Sequence, residues 1–191
     1  LDPEHGHAVI SADEKAMAWR DANVACFRHL AADEHVYGLG EKAFGLELRG
    51  RAYDMWNTDA HTYAPGTDPL YVSVPFYIGL RGETAYGIFF DNTYRSRFDF
   101  GVGQSDIALF QASGGPMRYY FFYGPSVAAV LERYTELTGR MVLPPLWALG
   151  YHQSRWGYVS EGQVRRIAAE FRTRRIPCDA IYLDIEHMNG Y

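Results

Sequence analysis

Hydrophobic and polar positions along the chain follow two rhythms, and the change falls near residue 125. Before it, short apolar runs alternate with turn clusters: Leu70–Leu80 (LYVSVPFYIGL), Ala85–Phe90 (AYGIFF), Asp106–Gln111 (DIALFQ) and Met117–Tyr123 (MRYYFFY) are the clearest. Pro65-Gly66-Thr67-Asp68, Arg81-Gly82-Glu83, Asp91-Asn92 and Ser113-Gly114-Gly115-Pro116 separate them. These residue types supply the special dihedrals and local hydrogen bonds that turns require. Short strands at this spacing, without helices between them, predict an antiparallel sandwich or barrel over residues 1–125.

After Gly124 the period lengthens. Ser126 can cap a helix whose apolar residues Val127, Val130, Leu131, Tyr134 and Leu137 recur at helical spacing, and Gly139 stands where a left-handed terminator is wanted. Pro144-Pro145 then forces extended backbone, so residues 126–143 read as a connecting helix and linker. Trp147–His152 (WALGYH) predicts a buried strand. Ser160 and Gln163 form a capping-box pattern ahead of Val164, Ile167, Ala168 and Phe171, and Ala180–Ile185 (AIYLDI) predicts a second buried strand. Strand, helix and strand within about 40 residues make a βαβ unit with parallel pairing, here over 144–191. A parallel sheet of two strands leaves both outer edges bare. The expectation is therefore that these residues are the front of a longer protein.

Charge and composition narrow the classes. Eighteen Lys and Arg against 23 Asp and Glu leave a net charge of −5, which argues against a nucleic-acid partner. No apolar run approaches the ~20 residues of a membrane span, and LDPEHGHAVISADEK lacks the features of a signal peptide. Two distant cysteines, Cys26 and Cys178, without metal or redox spacing, suit a reducing, cytoplasmic location. Aromatic residues reach 16%, most of which a sheet core absorbs.

Several motifs carry candidate chemistry. Tyr37–Ala43 (YGLGEKA) fits the loose G-x-G-x-x-G/A pattern, but that fingerprint needs a helix opening at the glycines, and none is indicated; a tight turn between strands is the better reading. Asp184 and Glu186 stand two apart at the end of a predicted parallel strand, roughly 6–7 Å from each other on one face. Read alone, they look like the two carboxylates of a glycosidase, whose separation is roughly 5–5.5 Å in retaining enzymes. The alternatives are a metal set with His152 and His187, and a carboxylate that merely caps the following loop. Trp156 can be a platform for a sugar ring or packing at a barrel mouth. Trp56-Asn57-Thr58-Asp59 reads first as an Asx-type turn.

Taken in order, Tyr37–Lys42 (YGLGEK), Met55–Asp59 (MWNTD), Leu70–Phe76 (LYVSVPF), Gly87–Gly101 (GIFFDNTYRSRFDFG), Leu137–Arg140 (LTGR), Leu143–Trp147 (LPPLW), Gln153–Tyr158 (QSRWGY), Ile176–Asp179 (IPCD) and Leu183–Met188 (LDIEHM) resemble glycoside hydrolase family 31, in its bacterial α-glucosidase branch. The resemblance implies an N-terminal galactose-mutarotase-like β-sandwich followed by the start of a (β/α)8 barrel. It implies a retaining, exo-acting α-glycosidase, most simply an α-glucosidase acting on an oligosaccharide or glucoside, with no metal and no cofactor. It also implies that nucleophile and acid/base, both aspartates, come from later barrel strands. No catalytic residue then lies among these residues, the chain alone is inactive, and Asp184 with Glu186 is not the catalytic pair. Carried over by position, Asp184 holds hydroxyls of the terminal glucose, Ile185 and Trp156 line the same pocket, and Asp59 reaches the next sugar from a sandwich loop. Glu186-His187 and Asn189 depart from the family's usual Asp-Tyr and Asp. A carbohydrate-binding module without catalysis, and an α-xylosidase or transglycosylase, are the alternatives.

Overall fold

The computed structural model describes residues 16–190, so the N-terminal LDPEHGHAVISADEK lies outside the described residues. A break after Gly139 separates two compact units, each taken by itself.

Among the described residues the first unit contains nine strands: β1 (Met17–Arg20), β2 (Asn23–His29), β3 (Glu34–Gly40), β4 (Ala52–Met55), β5 (Ser73–Arg81), β6 (Thr84–Phe90), β7 (Ser96–Phe100), β8 (Ile107–Ala112) and β9 (Tyr119–Tyr123). They form a five-stranded sheet in the order β1-β2-β8-β7-β4 and a four-stranded sheet in the order β3-β5-β6-β9. Every pairing in both is antiparallel. The four runs read from the sequence are β5, β6, β8 and β9. The shorter, more polar strands, such as β4 (AYDM) and β7 (SRFDF), carry too few apolar residues to stand out.

Alternation decides which face each sheet buries. In β2 and β8 every second residue is buried, so the five-stranded sheet packs one face and wets the other. In β5 and β6 four consecutive residues are buried, because both faces are covered. Tyr77, Tyr86, Ile88 and Phe90 join Phe98, Phe100 and Phe110 in the core shared by the sheets. Phe76, Ile78, Ala85 and Phe122 turn the other way, onto α1 (Val127–Thr138), whose Val130 is fully buried among them. Gly87 makes that contact possible, since a Cβ there would lie 2.7 Å from Val130 Cγ1 and 2.8 Å from Phe76 Cε2. As predicted, the Ser126 hydroxyl accepts from the Ala129 amide and Gly139, at φ 97°, ends the helix.

The sandwich core also holds a charge. Arg28, 5% exposed, donates to the Tyr77 hydroxyl at 2.7 Å and the Tyr86 hydroxyl at 2.8 Å. Tyr86 in turn donates to Glu34, whose other oxygen accepts from the Ala31 amide at 3.1 Å. Burial pulls the guanidinium pKa down, but the two phenols outweigh it and hold the pKa above its ordinary value.

The second unit contains β10 (His152–Arg155), α2 (Glu161–Thr173) and β11 (Ala180–Leu183), the two strands parallel and in register from His152↔Ala180 to Arg155↔Leu183. The predicted strand Trp147–His152 is corrected. Pro145 leads into a 3-10 turn at Leu146–Leu149, which Gly150 ends, and the strand begins only where Ala180 offers a partner. The second predicted strand stops at Leu183, because the Asp184 side chain accepts from the Ile185 amide and opens another 3-10 turn, Ile185–His187. Nor is either strand buried: Tyr182 and Leu183 are about half exposed, the pair having no further strand beside it among the described residues. The Ser160 cap holds, but the Gln163 side chain accepts from the Val159 amide, one residue before the cap.

Candidate functional site

Parallel pairing sends β10 and β11 the same way, so the segments after Arg155 and Leu183 emerge at one rim. Trp156 follows β10, 72% exposed, and its indole N–H donates to Glu186 Oε1 at 2.9 Å. Asp184 follows β11 with Oδ1 accepting from the Ile185 amide at 2.7 Å, and Ile185 is about half exposed beside it. His187 Nδ1 lies 2.5 Å from the Asp184 carbonyl; since a carbonyl only accepts, Nδ1 carries the proton. Three of the four residues singled out by sequence therefore meet at one rim, with Glu186 holding the indole. That role for Glu186 was missed, although its place two residues after Asp184 was the signal.

The alternatives for Asp184 and for the two histidines are decided by the same geometry. Asp184 does cap the following turn, with one oxygen. His152 is stacked between Trp147 and Tyr182, with Nε2 facing the Trp147 carbonyl at 3.1 Å and Nδ1 facing the Tyr182 hydroxyl at 3.0 Å. Both ring nitrogens being engaged, and His187 being turned to Asp184, the two histidines do not form a metal pair.

Asp59 belongs to the first unit, on the loop of residues 56–72 between β4 and β5. Its carboxylate is 70% exposed, 4.0 Å from His61 Nε2. The Tyr71 phenol is held above its ordinary pKa chiefly by the neighbouring Asp59 carboxylate, because losing the proton would leave two anions together. Tyr71 also lies 2.8 Å from the Ala60 carbonyl. The Asx-turn reading of this stretch is overturned. Asn57 Oδ1 accepts from Ser73 across the loop at 2.9 Å, and it is the Thr58 hydroxyl that donates back to Trp56 O. At the foot of the loop lies a cavity of about 500 Å³, lined by Trp56, Asn57, Pro75, Phe90, Asp91 and Tyr94 among others. That size, with aromatic faces and a few polar groups, suits a sugar.

The YGLGEK segment is not a tight turn. Gly38, Leu39 and Gly40 lie at the end of β3 with positive φ, where the register to β5 shifts as a bulge. A Cβ at Gly38 would meet the Phe76 carbonyl oxygen at 2.6 Å, so the glycine serves close strand approach, not a phosphate.

A two-sheet antiparallel sandwich is followed along the chain by a parallel strand–helix–strand unit with an exposed indole and a carboxylate at the strands' C-terminal rim, the end at which α/β barrels place their functional side chains. Family comparison agrees: residues 2–99 match the glycosyl hydrolase 31 N-terminal galactose mutarotase-like domain, and residues 141–191 match the glycosyl hydrolases family 31 TIM-barrel domain. The chain belongs to glycoside hydrolase family 31. It is 50% identical over 189 residues to alpha-glucosidase 2 of Bacillus thermoamyloliquefaciens, covering 98% of this chain and 24% of that protein. It is 33% identical over 195 residues to the alpha-xylosidase XylQ of Lactiplantibacillus pentosus, covering 98% and 25%. The Flavobacterium johnsoniae GH31 dextranase, solved with glucose, superposes with a TM-score of 0.86 at 44% identity, over 94% of this chain and 22% of that one. The chain thus spans about a quarter of the length of the relatives it matches.

Proposed function

We propose that the full-length protein is a retaining, exo-acting α-glycosidase, an α-glucosidase removing terminal α-linked glucose by double displacement. The sandwich (1–125), connecting helix and linker (126–143) and barrel start (144–191) bind and orient substrate. Nucleophile and acid/base come from outside these residues, and neither metal nor cofactor takes part. The observation that carries the reading is the placement of Trp156 and Asp184 at one strand rim, with Glu186 holding the indole. A carboxylate accepts strong hydrogen bonds from vicinal hydroxyls, and an indole covers the apolar face of a pyranose. Asp184 keeps Oδ2 for the terminal sugar while Oδ1 caps the turn, Ile185 lines the same pocket, and Asp59 meets the next sugar. Half identity to an alpha-glucosidase supports glucose as that sugar. A cytoplasmic location belongs to the same proposal, supported by the sequence having only two cysteines, far apart and without metal or redox spacing.

The similarity to an alpha-xylosidase favours one second reading, preference for a terminal xylose. Purified full-length protein incubated with p-nitrophenyl α-glucoside, maltose, isomaltose and p-nitrophenyl α-xyloside separates the cases. Glucose release, fastest from the glucosides, is expected. Faster xyloside cleavage favours the second reading, and saturable sugar binding without release leaves only a binding module.

A further inference from the structure

Beneath the loop that carries Asp59 lies a buried ion pair that no role above uses. Lys42 Nζ stands 2.5 Å from Asp68 Oδ1, the two side chains only 4% and 12% exposed. Nζ also donates to the Asp54 carbonyl at 2.8 Å, while Asp68 Oδ2 accepts from the Asp54 amide at 2.6 Å. Asp54 is thus held at both its backbone groups, and the ammonium lies 5.7 Å from the centre of the Tyr53 ring. Lys42 follows β3, Asp54 lies in β4 and Asp68 lies near the far end of the 56–72 loop, so one cation ties three segments together.

Stability alone gives little reason to keep such a pair, because apolar residues of like volume often serve as well in a core. What the pair supplies is geometry. The loop has no helix or strand of its own. Its stem is closed by Thr58 N–H to Leu70 O at 2.8 Å, and Gly66 N–H reaches Ala43 O at 2.6 Å, next to Lys42 itself. Asp59, Tyr71 and His61 stand on the exposed side of the same loop. Lys42 is too buried to touch a sugar, but a shift of its partner moves the whole stem.

We propose that Lys42, acting through Asp68, is a positioning residue that fixes the 56–72 loop and with it the Asp59 carboxylate at the second sugar. The proposal rests on the reading of Asp59 given above. The test compares Lys42→Met, Asp59→Ala and the double variant in the full-length enzyme, measuring KM and kcat for maltose and for p-nitrophenyl α-glucoside, whose aglycone lacks the second sugar's hydroxyls. Loss of one charge-assisted hydrogen bond to that sugar corresponds to roughly tenfold in KM. The expected result is a KM for maltose about tenfold higher in Lys42→Met and in Asp59→Ala, a much smaller change for the aryl glucoside, and no further loss in the double variant. Faster amide exchange across 56–72 in Lys42→Met accompanies it. If Lys42→Met fails to fold, Asp68→Asn, which keeps the shape and an acceptor for Asp54, reads the same quantities. An Asp59→Ala effect with none from Lys42→Met or Asp68→Asn, or effects that multiply in the double variant, overturns the clamp and leaves the role of Asp59 standing. If Asp59→Ala leaves the maltose KM unchanged, the reading of Asp59 falls and the clamp falls with it.

Discussion

Replacing Asp184 with asparagine separates its two duties. Oδ1 accepts from the Ile185 amide and starts the 3-10 turn, while Oδ2 has no hydrogen bond to a described residue. Asparagine is as good a cap as aspartate, so Asp184→Asn leaves the turn intact, whereas Asp184→Ala removes the cap at a cost of about 1 kcal/mol in stability. Toward the sugar the outcomes differ. With its oxygen kept on Ile185, the asparagine presents an NH2 donor where the carboxylate offered charged acceptors. A hydrogen bond to a charged group contributes roughly 1.5–3 kcal/mol, so losing two in the transition state predicts a fall of roughly 10²–10⁴ in kcat/KM. Steady-state kinetics of the full-length enzyme on an aryl α-glucoside, beside thermal unfolding, gives both numbers. The reasoning is refuted if Asp184→Asn keeps most of its kcat/KM. It is equally refuted if added azide restores turnover to Asp184→Ala, because an external nucleophile replaces only a missing nucleophile, not a missing sugar ligand.

Four further outcomes follow from the packing and charges of the first unit. Arg28→Met strands Glu34 and two phenols in the sandwich core and costs about 3–5 kcal/mol by urea unfolding, while Arg28→Met with Glu34→Gln costs less than the two singles together. Gly87→Ala drives a methyl into Val130 and Phe76 and costs about 1–3 kcal/mol, again by urea unfolding. Burial raises the Asp54 carboxyl, but Arg95 and Arg97 outweigh it and hold it below its ordinary value. Its contribution is complete above its unfolded pKa of about 4 and disappears as pH falls through the lower folded value, so the midpoint drops in acid and Asp54→Asn removes part of that drop. At the other limit, burial pushes the Tyr53 phenol up to about 12. Its contribution holds below the unfolded pKa of about 10 and is lost as pH rises from there through the folded value, which ultraviolet phenolate titration reads.

How much of this was legible depended on what each signal measured. Apolar runs bound for a doubly covered sheet, β5 and β6, read plainly, because each residue on either face is apolar. Strands of the half-wet sheet, such as β7 with Arg97 and Asp99 facing out, hid among their polar residues. The 3-10 turn at Leu146–Leu149 reads as a strand because both are short and apolar; only pairing with Ala180 shows where β10 starts. Trp156 and Asp184 were legible because strand ends in an α/β unit share a rim. The Lys42–Asp68 pair was not, since the sequence separates its members by 26 positions and only the fold joins them.

The central claim, a retaining α-glycosidase, is tested most directly by the configuration of the first sugar released. Proton NMR of the full-length enzyme acting on p-nitrophenyl α-glucoside, followed from the first turnovers before mutarotation, distinguishes the anomers. Double displacement inverts the anomeric carbon twice, so the account predicts that α-glucose accumulates first and β-glucose grows in only by mutarotation. Initial release of β-glucose, or no release at all, would contradict it.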